Sequence, residues 1–149
     1  MATVHVETYI AASPEVCFDL ARDIDIHLQS AASTGEKAVD GVTTGKMGMG
    51  DFVTFDGRHF GVRFRLTSEI IQYDSPHQFT DQMKRGPFKS MMHEHIFESR
   101  DGGTVMIDKL DFHSPMGPLG ALVDTIVMKR HLTKFLQLRG AELKHIAES

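Results

Sequence analysis

The chain has no tryptophan and one cysteine, Cys17. A single cysteine excludes an intrachain disulfide, which suits a reducing compartment, and a cytoplasmic location is the expectation. Cys17 sits between Val16 and Phe18, so it reads as a small buried hydrophobe rather than a reactive thiol. No apolar run approaches the ~20 residues that a bilayer-spanning helix needs. The opening MATVHVETYI lacks a basic stretch followed by an apolar one, so no signal peptide is read there. An excess of positive charge is missing too. Lys and Arg number 16 against 20 Asp and Glu, a formal net charge of -4, which argues against electrostatic binding of nucleic acid. The most basic tract, Lys129, Arg130, His131 and Lys134, falls on helical spacing and reads as a solvated helix face. There is no internal repeat, low-complexity segment or linker. Residues 1–149 therefore fit one domain, long enough to bury its own core.

What is present is an order of elements. Ala2 to Ile10 alternates, with Val4, Val6, Thr8 and Ile10 on one face, as in a half-buried strand. Ser13-Pro14-Glu15 starts a short helix: Ser13 caps, Pro14 suits the first position and Glu15 the positive end. Asp23 caps a second short helix over Ile24 to Leu28, and Ser30 to Gly35 reads as a loop. Lys37 to Phe112 reads as successive strands. They cover Ala38–Val42, Phe52–Phe60, Val62–Tyr73, Phe79–Lys84, Lys89–Phe97 and Thr104–Phe112. Gly57 and Gly61 mark a bulge or turn, and Asp101 to Gly103 closes a hairpin. From about Pro118 to Ala147, Leu119, Leu122, Val123, Ile126, Val127, Phe135, Leu136, Leu138 and Leu143 recur at helical spacing. Such a helix is roughly 45 Å long. Gly140 inside it marks close packing, a kink or the helix end. The sum is an α+β fold with antiparallel pairing.

This order resembles the Bet v 1/START-like (SRPBCC) superfamily. The stretch from Tyr73 to Gly120 is similar to a bacterial ligand-binding subfamily whose members carry the labels polyketide cyclase/dehydrase-like or cell-division inhibitor. The matching residues are Pro76, Phe79, Asp81, Gln82, Gly86-Pro87-Phe88, His93, His95, Phe97, Gly103-Thr104, Met106, Asp108, Pro115 and Gly117 to Gly120. The resemblance implies a helix-grip fold: a curved antiparallel sheet of about six or seven strands around the long C-terminal helix, with two short helices after strand 1. It also implies an internal cavity. Members of the subfamily often have Trp two residues before the first His. Here that position is Met91, so the pocket is expected to be softer and differently shaped. The fold alone does not fix a function.

The most informative constellation is His93-Glu94-His95. On a strand, Met91, His93, His95 and Phe97 share a face, and its apolar members turn that face inward. Placing Phe97 opposite Thr104 sets His95 against Met106 and His93 against Asp108. On the other side, Asp81 meets His93 and Phe79 meets His95. Asp81, His93 and Asp108 then lie in one row across three strands. The cluster has three readings. The carboxylates can satisfy a buried His93 as a structural network. The group can orient a ligand, or His93 with Asp108 or Asp81 can act as general acid/base. His-x-His with a carboxylate can also bind a metal, although no third His has matching spacing and no metal or other cofactor is expected. The methionines Met83, Met91, Met106, Met116 and Met128 fall on core or cavity positions and favour a deformable apolar pocket. TTGKMGMGD is neither a Walker A loop nor a dinucleotide fingerprint, and reads as a flexible loop at the cavity mouth. Arg63 and Arg65 read as solvent-facing. There is no nucleophile elbow and no HExxH.

The expected function is binding of a small hydrophobic or amphipathic molecule: a lipid, polyketide or aromatic compound. Phe64, Leu66, Phe79, Met91, Phe97, Met106, Ile126 and Phe135 are the expected apolar wall, and Asp81, His93, His95 and Asp108 the polar end. The alternatives are a cyclase- or dehydratase-like enzyme and a regulatory module with a protein partner.

Overall fold

The computed structural model describes residues 2–30, 35–59, 61–115 and 117–149, without side-chain detail at 119–121, 123 and 124. Phe60, Met116, the 31–34 part of the polar loop and the side chains of Leu119 and Val123 therefore lie outside the described residues.

Seven strands and three helices follow in the order β1 (Ala2–Ile10), α1 (Pro14–Ala21), α2 (Ile24–Ser30), β2 (Lys37–Gly41), β3 (Phe52–His59), β4 (Val62–Asp74), β5 (Gln78–Arg85), β6 (Ser90–Arg100), β7 (Gly103–His113) and α3 (Pro118–Glu148). All strands pair antiparallel in the spatial order β1-β7-β6-β5-β4-β3-β2. The sheet is curved and open, with register shifts between β4 and β5 that leave Lys84 of β5 and Ile71 of β4 as extra residues; such bulges bend and twist a strand locally. The local signals explain the start. Ser13 Oγ accepts the Val16 N–H at 3.3 Å, and Asp23 Oδ1 accepts from Asp25 and Ile26, so both short helices have their first donors satisfied.

Two apolar clusters hold the layers together. Phe18 of α1 is fully buried and meets Tyr73, Phe79 and Phe97 edge-on at 5.3–5.4 Å. Around it pack Ile10, Ile70, Met106 and Leu143. The second cluster joins Val4, Val6, Leu110 and Phe112 of the sheet to Leu132 and Leu136 of α3. Burying one such large side chain contributes roughly 1.5–3 kcal/mol. Cys17 is buried in the first cluster, and burial raises its thiol pKa. Gly140 lets α3 close on β1: a Cβ there would stand 2.5 Å from Thr8 Oγ1.

Four expectations need correction. Gly57 is not at a bulge, since β3 and β4 stay in register through Gly57 and Phe64. It leaves room for Glu36, whose Cγ would lie 2.6 Å from an added Cβ. The turn glycine is Gly61, with φ 73°. The β6–β7 register is shifted by two residues: Arg100 faces Gly103, Phe97 faces Met106, His95 faces Asp108 and His93 faces Leu110. The cause is turn chemistry, since Asp101 (φ 50°) and Gly102 (φ 77°) form the corner and a two-residue hairpin corner favours residues that tolerate positive φ. The 43–51 loop is pinned rather than free. Asp25 accepts from Thr44 Oγ1 and Gly45 N, and Arg22 and Met47 exchange hydrogen bonds. Finally, His131 is not part of a solvated face; its ring meets that of His59 between α3 and β3.

Candidate functional site

A cavity of about 580 Å³ lies between the sheet and α3, within the ~300–1,000 Å³ of ordinary small-molecule sites. Alternation places Phe64, Leu66, Ser68 and Ile70 of β4 on its wall, beside Phe79 and Asp81 of β5 and Met91, His93 and His95 of β6. The helical side supplies Met128, Leu132, Phe135, Leu136 and Arg139 of α3, with His27 of α2. Met47 of the pinned loop also faces it.

The expected wall residues divide. Phe64, Leu66, Phe79, Asp81, Met91, His93, His95 and Phe135 line the cavity. Phe97 and Met106 do not; they are buried beneath α1 in the Phe18 cluster. Ile126 points to solvent at 56 % exposure, because the cavity-facing stripe of α3 runs through Val127, Met128, Leu132 and Leu136. Asp108 is buried behind His93 rather than on the wall. Arg63 and Arg65 face outward as expected and pair with Asp56.

The polar end is a network on three adjacent strands. Phe79, His95 and His93 form a stack, with ring centroids 4.1 Å apart for the first pair and 3.7 Å for the second. His95 Nε2 meets Asp81 Oδ2 at 2.7 Å. His93 Nε2 meets Asp108 Oδ1 at 2.8 Å, reaching it diagonally across the register, so the expected His93–Asp108 pair forms despite the shift. Ser68 Oγ donates to Asp81 Oδ1 at 2.7 Å.

The electrostatics follow from burial and these partners. Burial favours the neutral form of His95 and, with the neighbouring His93, outweighs Asp81, pushing its pKa down to about 4. Burial alone would raise the Asp81 carboxyl; the His95 hydrogen bond, the charges on both imidazoles and Ser68 outweigh it and hold the pKa well below the usual carboxylate range. Asp108 is lowered in the same way: burial opposes, but His93, His95 and Arg139 prevail. The network at neutral pH is thus two carboxylates held by neutral His95, His93 and a hydroxyl. With Nε2 facing Asp108, Nδ1 is the His93 ring nitrogen left for other contacts.

Asp81, His93 and His95 place donor atoms within 4.8 Å of one another, a set that could hold a metal ion. Each Nε2 already sits on a carboxylate, so the arrangement is self-sufficient without one, and no ion is assigned to it.

Sequence reasoning missed several polar groups on the helical side. Arg139 is 6 % exposed; its Nη2 donates to the Ala21 carbonyl at 3.1 Å, and its Nε has no hydrogen-bond partner among the described residues. The available signal was phase: 139 falls on the same helical stripe as Leu132, Leu136 and Leu143. His27 stacks on Phe55 at 4.4 Å, and its Nε2 stands 3.5 Å from Glu36 Oε1 without a hydrogen bond. His59 Nδ1 and His131 Nε2 share a hydrogen bond at 2.7 Å, tying β3 to α3.

The described helices include none long and apolar enough to cross a membrane. No curated protein sequence matches the chain. Solved structures do. TTHA0849 from Thermus thermophilus is 18 % identical, with 98 % of this chain and 99 % of that one covered and a TM-score of 0.76. The major latex-like protein 151 of Panax ginseng is 14 % identical, with 99 % and 98 % covered and a TM-score of 0.69. Ara h 8.0201 is 16 % identical, with 95 % and 97 % covered and a TM-score of 0.64. These likenesses establish the Bet v 1-like fold. A family model described as polyketide cyclase/dehydrase and lipid transport matches residues 1–148.

Proposed function

Since the chain belongs to the polyketide cyclase/dehydrase and lipid transport family, we propose that it binds a small, largely apolar molecule between the sheet and α3. The observation that carries this reading is the cavity of about 580 Å³, with Phe, Leu, Ile and Met walls and a few polar groups converging at one end. Met47, Met91 and Met128 on its lining give walls that adapt to a ligand's shape. The test is native mass spectrometry and thermal shift with lipids, polyketides and aromatic compounds. One-to-one binding is expected for at least one class, and Met91→Trp, which narrows the cavity, is expected to weaken binding of the bulkiest ligands most. Absence of binding in every class overturns the proposal.

A second reading is favoured by one observation: His93 reaches the cavity with its Nε2 held by a buried carboxylate. That arrangement orients an imidazole as a general base. Its substrate would carry an acidic C–H beside a carbonyl. Deuterium exchange into a bound β-diketone is the assay. His93→Gln is expected to bind the diketone and lose the exchange; exchange at the wild-type rate in that variant would remove His93 from the role.

A further inference from the structure

Among the described residues, Arg139 is the one buried cation on the cavity wall without an ion pair, although its charge also acts on buried Asp108. It is only 6 % exposed and lies on α3 facing the cavity. No carboxylate lies within ion-pair distance of it among the described residues. Its one hydrogen bond runs from Nη2 to the Ala21 carbonyl, which anchors the guanidinium to the end of α1 and fixes its plane. That leaves Nε–H without an acceptor. The other cavity-lining ions differ. Arg22 holds Asp19, Asp81 takes hydrogen bonds from His95 and Ser68, Asp23 caps α2, and Glu36 stands 3.5 Å from His27 Nε2. His27, partly buried, lines the same cavity; its Nε2 has no hydrogen-bond partner among the described residues and lies 3.5 Å from Glu36 Oε1, and burial lowers its pKa, with Arg139 adding to that and Glu36 opposing it.

A buried guanidinium with an open N–H is costly unless something supplies the acceptor. The guanidinium edge is planar and matches a carboxylate with two parallel hydrogen bonds. The cavity lining also includes Ile24, Leu132 and Leu136, which suit a hydrocarbon or aromatic body.

We propose that Arg139, with His27 on the same cavity wall, is the recognition point for an acidic head group, so that the ligand class is an amphipathic carboxylic acid whose carboxylate meets the Arg139 Nε–H while its apolar body fills the cavity. This rests on the ligand-binding reading above. Arg139 is a specificity-determining residue under it. Its open N–H selects ligands by the head group, whereas the apolar walls select by size. The His93 and His95 network lies on the sheet side of the same cavity, near enough that Arg139 acts on Asp108.

The test uses three ten-carbon probes that differ only at the head: decanoate, 1-decanol and decyltrimethylammonium, titrated calorimetrically into the purified protein at neutral pH. Decanoate is expected to bind at least tenfold more tightly than 1-decanol, with the cation weakest. In Arg139→Gln the ratio of acid to alcohol affinity is expected to fall to about one. Equal binding of acid and alcohol by the native protein, or preference for the cation, overturns the Arg139 assignment and leaves the cavity reading standing. Tenfold preference surviving in Arg139→Gln also overturns it. No binding of any probe overturns the Arg139 assignment, while the cavity reading falls only if polyketides and aromatic compounds fail as well. Should Arg139→Gln fail to fold, Arg139→Lys keeps the charge but removes the planar fork; an unchanged acid preference there rejects the two-bond geometry, and the native acid-to-alcohol ratio stands as a test on its own.

Discussion

His93 and His95 lie ring on ring, centroids 3.7 Å apart and planes 24° apart, yet each gives its Nε2 to a different carboxylate. His93 takes Asp108 and His95 takes Asp81. Two imidazoles in face contact repel when both are protonated. The carboxylates work against that repulsion, and burial decides the outcome for His95 in favour of the neutral ring.

Removing one carboxylate should separate shape from charge. Asp108→Asn keeps an oxygen at the Oδ1 position, 2.8 Å from His93 Nε2 and 3.5 Å from His95 Nδ1, and removes only the charge. Its expected cost is about 1 kcal/mol. Asp108→Ala leaves a buried imidazole N–H with nothing to accept it and also opens a small cavity. Its expected cost is about 3 kcal/mol. Urea unfolding monitored by circular dichroism measures both. Equal losses would show that Asp108 acts through its charge alone, since Asn preserves the volume that Ala removes.

How much of this was legible beforehand depends on the kind of signal. The start of the chain was readable because each signal is local: alternation from Val4 to Ile10, then a capping Ser13 and Pro14 at the first helical position. The facing of Asp81 to His93 and Phe79 to His95 was also readable. The β6–β7 register was misplaced by two because the corner was set one residue too early, away from the Asp101-Gly102 pair that tolerates positive φ. A slip of two keeps every side chain on its face, so the His and Asp residues still came together. Phe97 and Met106 were on the correct face but too far toward α1, since periodicity gives the face and not the position along the cavity. Arg139 was missed because a basic residue in a helix ordinarily reads as solvated, although its stripe also carries Leu136 and Leu143.

Acid should weaken the fold in two stages. His95 is pushed down from 6.5 to about 4, and His27 is lowered by burial despite Glu36. For each, the unfolded chain binds the proton first. Their contribution is full above pH 6.5 and is lost as pH falls through the folded values, on the order of 3 kcal/mol from His95 alone. Asp81 and Asp108, lowered from 3.8, contribute fully above that value and lose their contribution only below it. Melting temperature against pH is expected to decline below 6.5 and again below 3.8. His95→Gln, whose amide can still donate to Asp81, should flatten the first decline. A profile level from pH 7 to 4 contradicts the buried neutral His95.

The His59–His131 bond of 2.7 Å requires at least one neutral ring. Burial lowers the His131 pKa, and His59 lowers it further. Its midpoint in an NMR titration should therefore lie below 6.5. His59→Gln removes the second influence and should move the His131 midpoint upward. An unmoved midpoint would mean that the two rings do not meet in solution.

Gly140 offers a test of how α3 is seated. Exchanging a mid-helix glycine for alanine ordinarily stabilises by up to about 1 kcal/mol. Here the added Cβ would stand 2.5 Å from Thr8 Oγ1 but 3.5 Å from Thr8 Cβ. The obstacle is therefore the end of the Thr8 side chain and not the backbone of β1. Threonine is branched at Cβ and cannot simply swing clear. Gly140→Ala is expected to destabilise by about 1–3 kcal/mol, because forcing α3 away from β1 costs more than helix propensity returns. Thr8→Ala removes both terminal atoms and leaves only ordinary contact. The double variant Thr8→Ala/Gly140→Ala should then recover most of the loss, with a coupling of at least about 1 kcal/mol between the two sites. Additive effects in this cycle, measured by urea unfolding, would show that α3 does not press on β1 at this point.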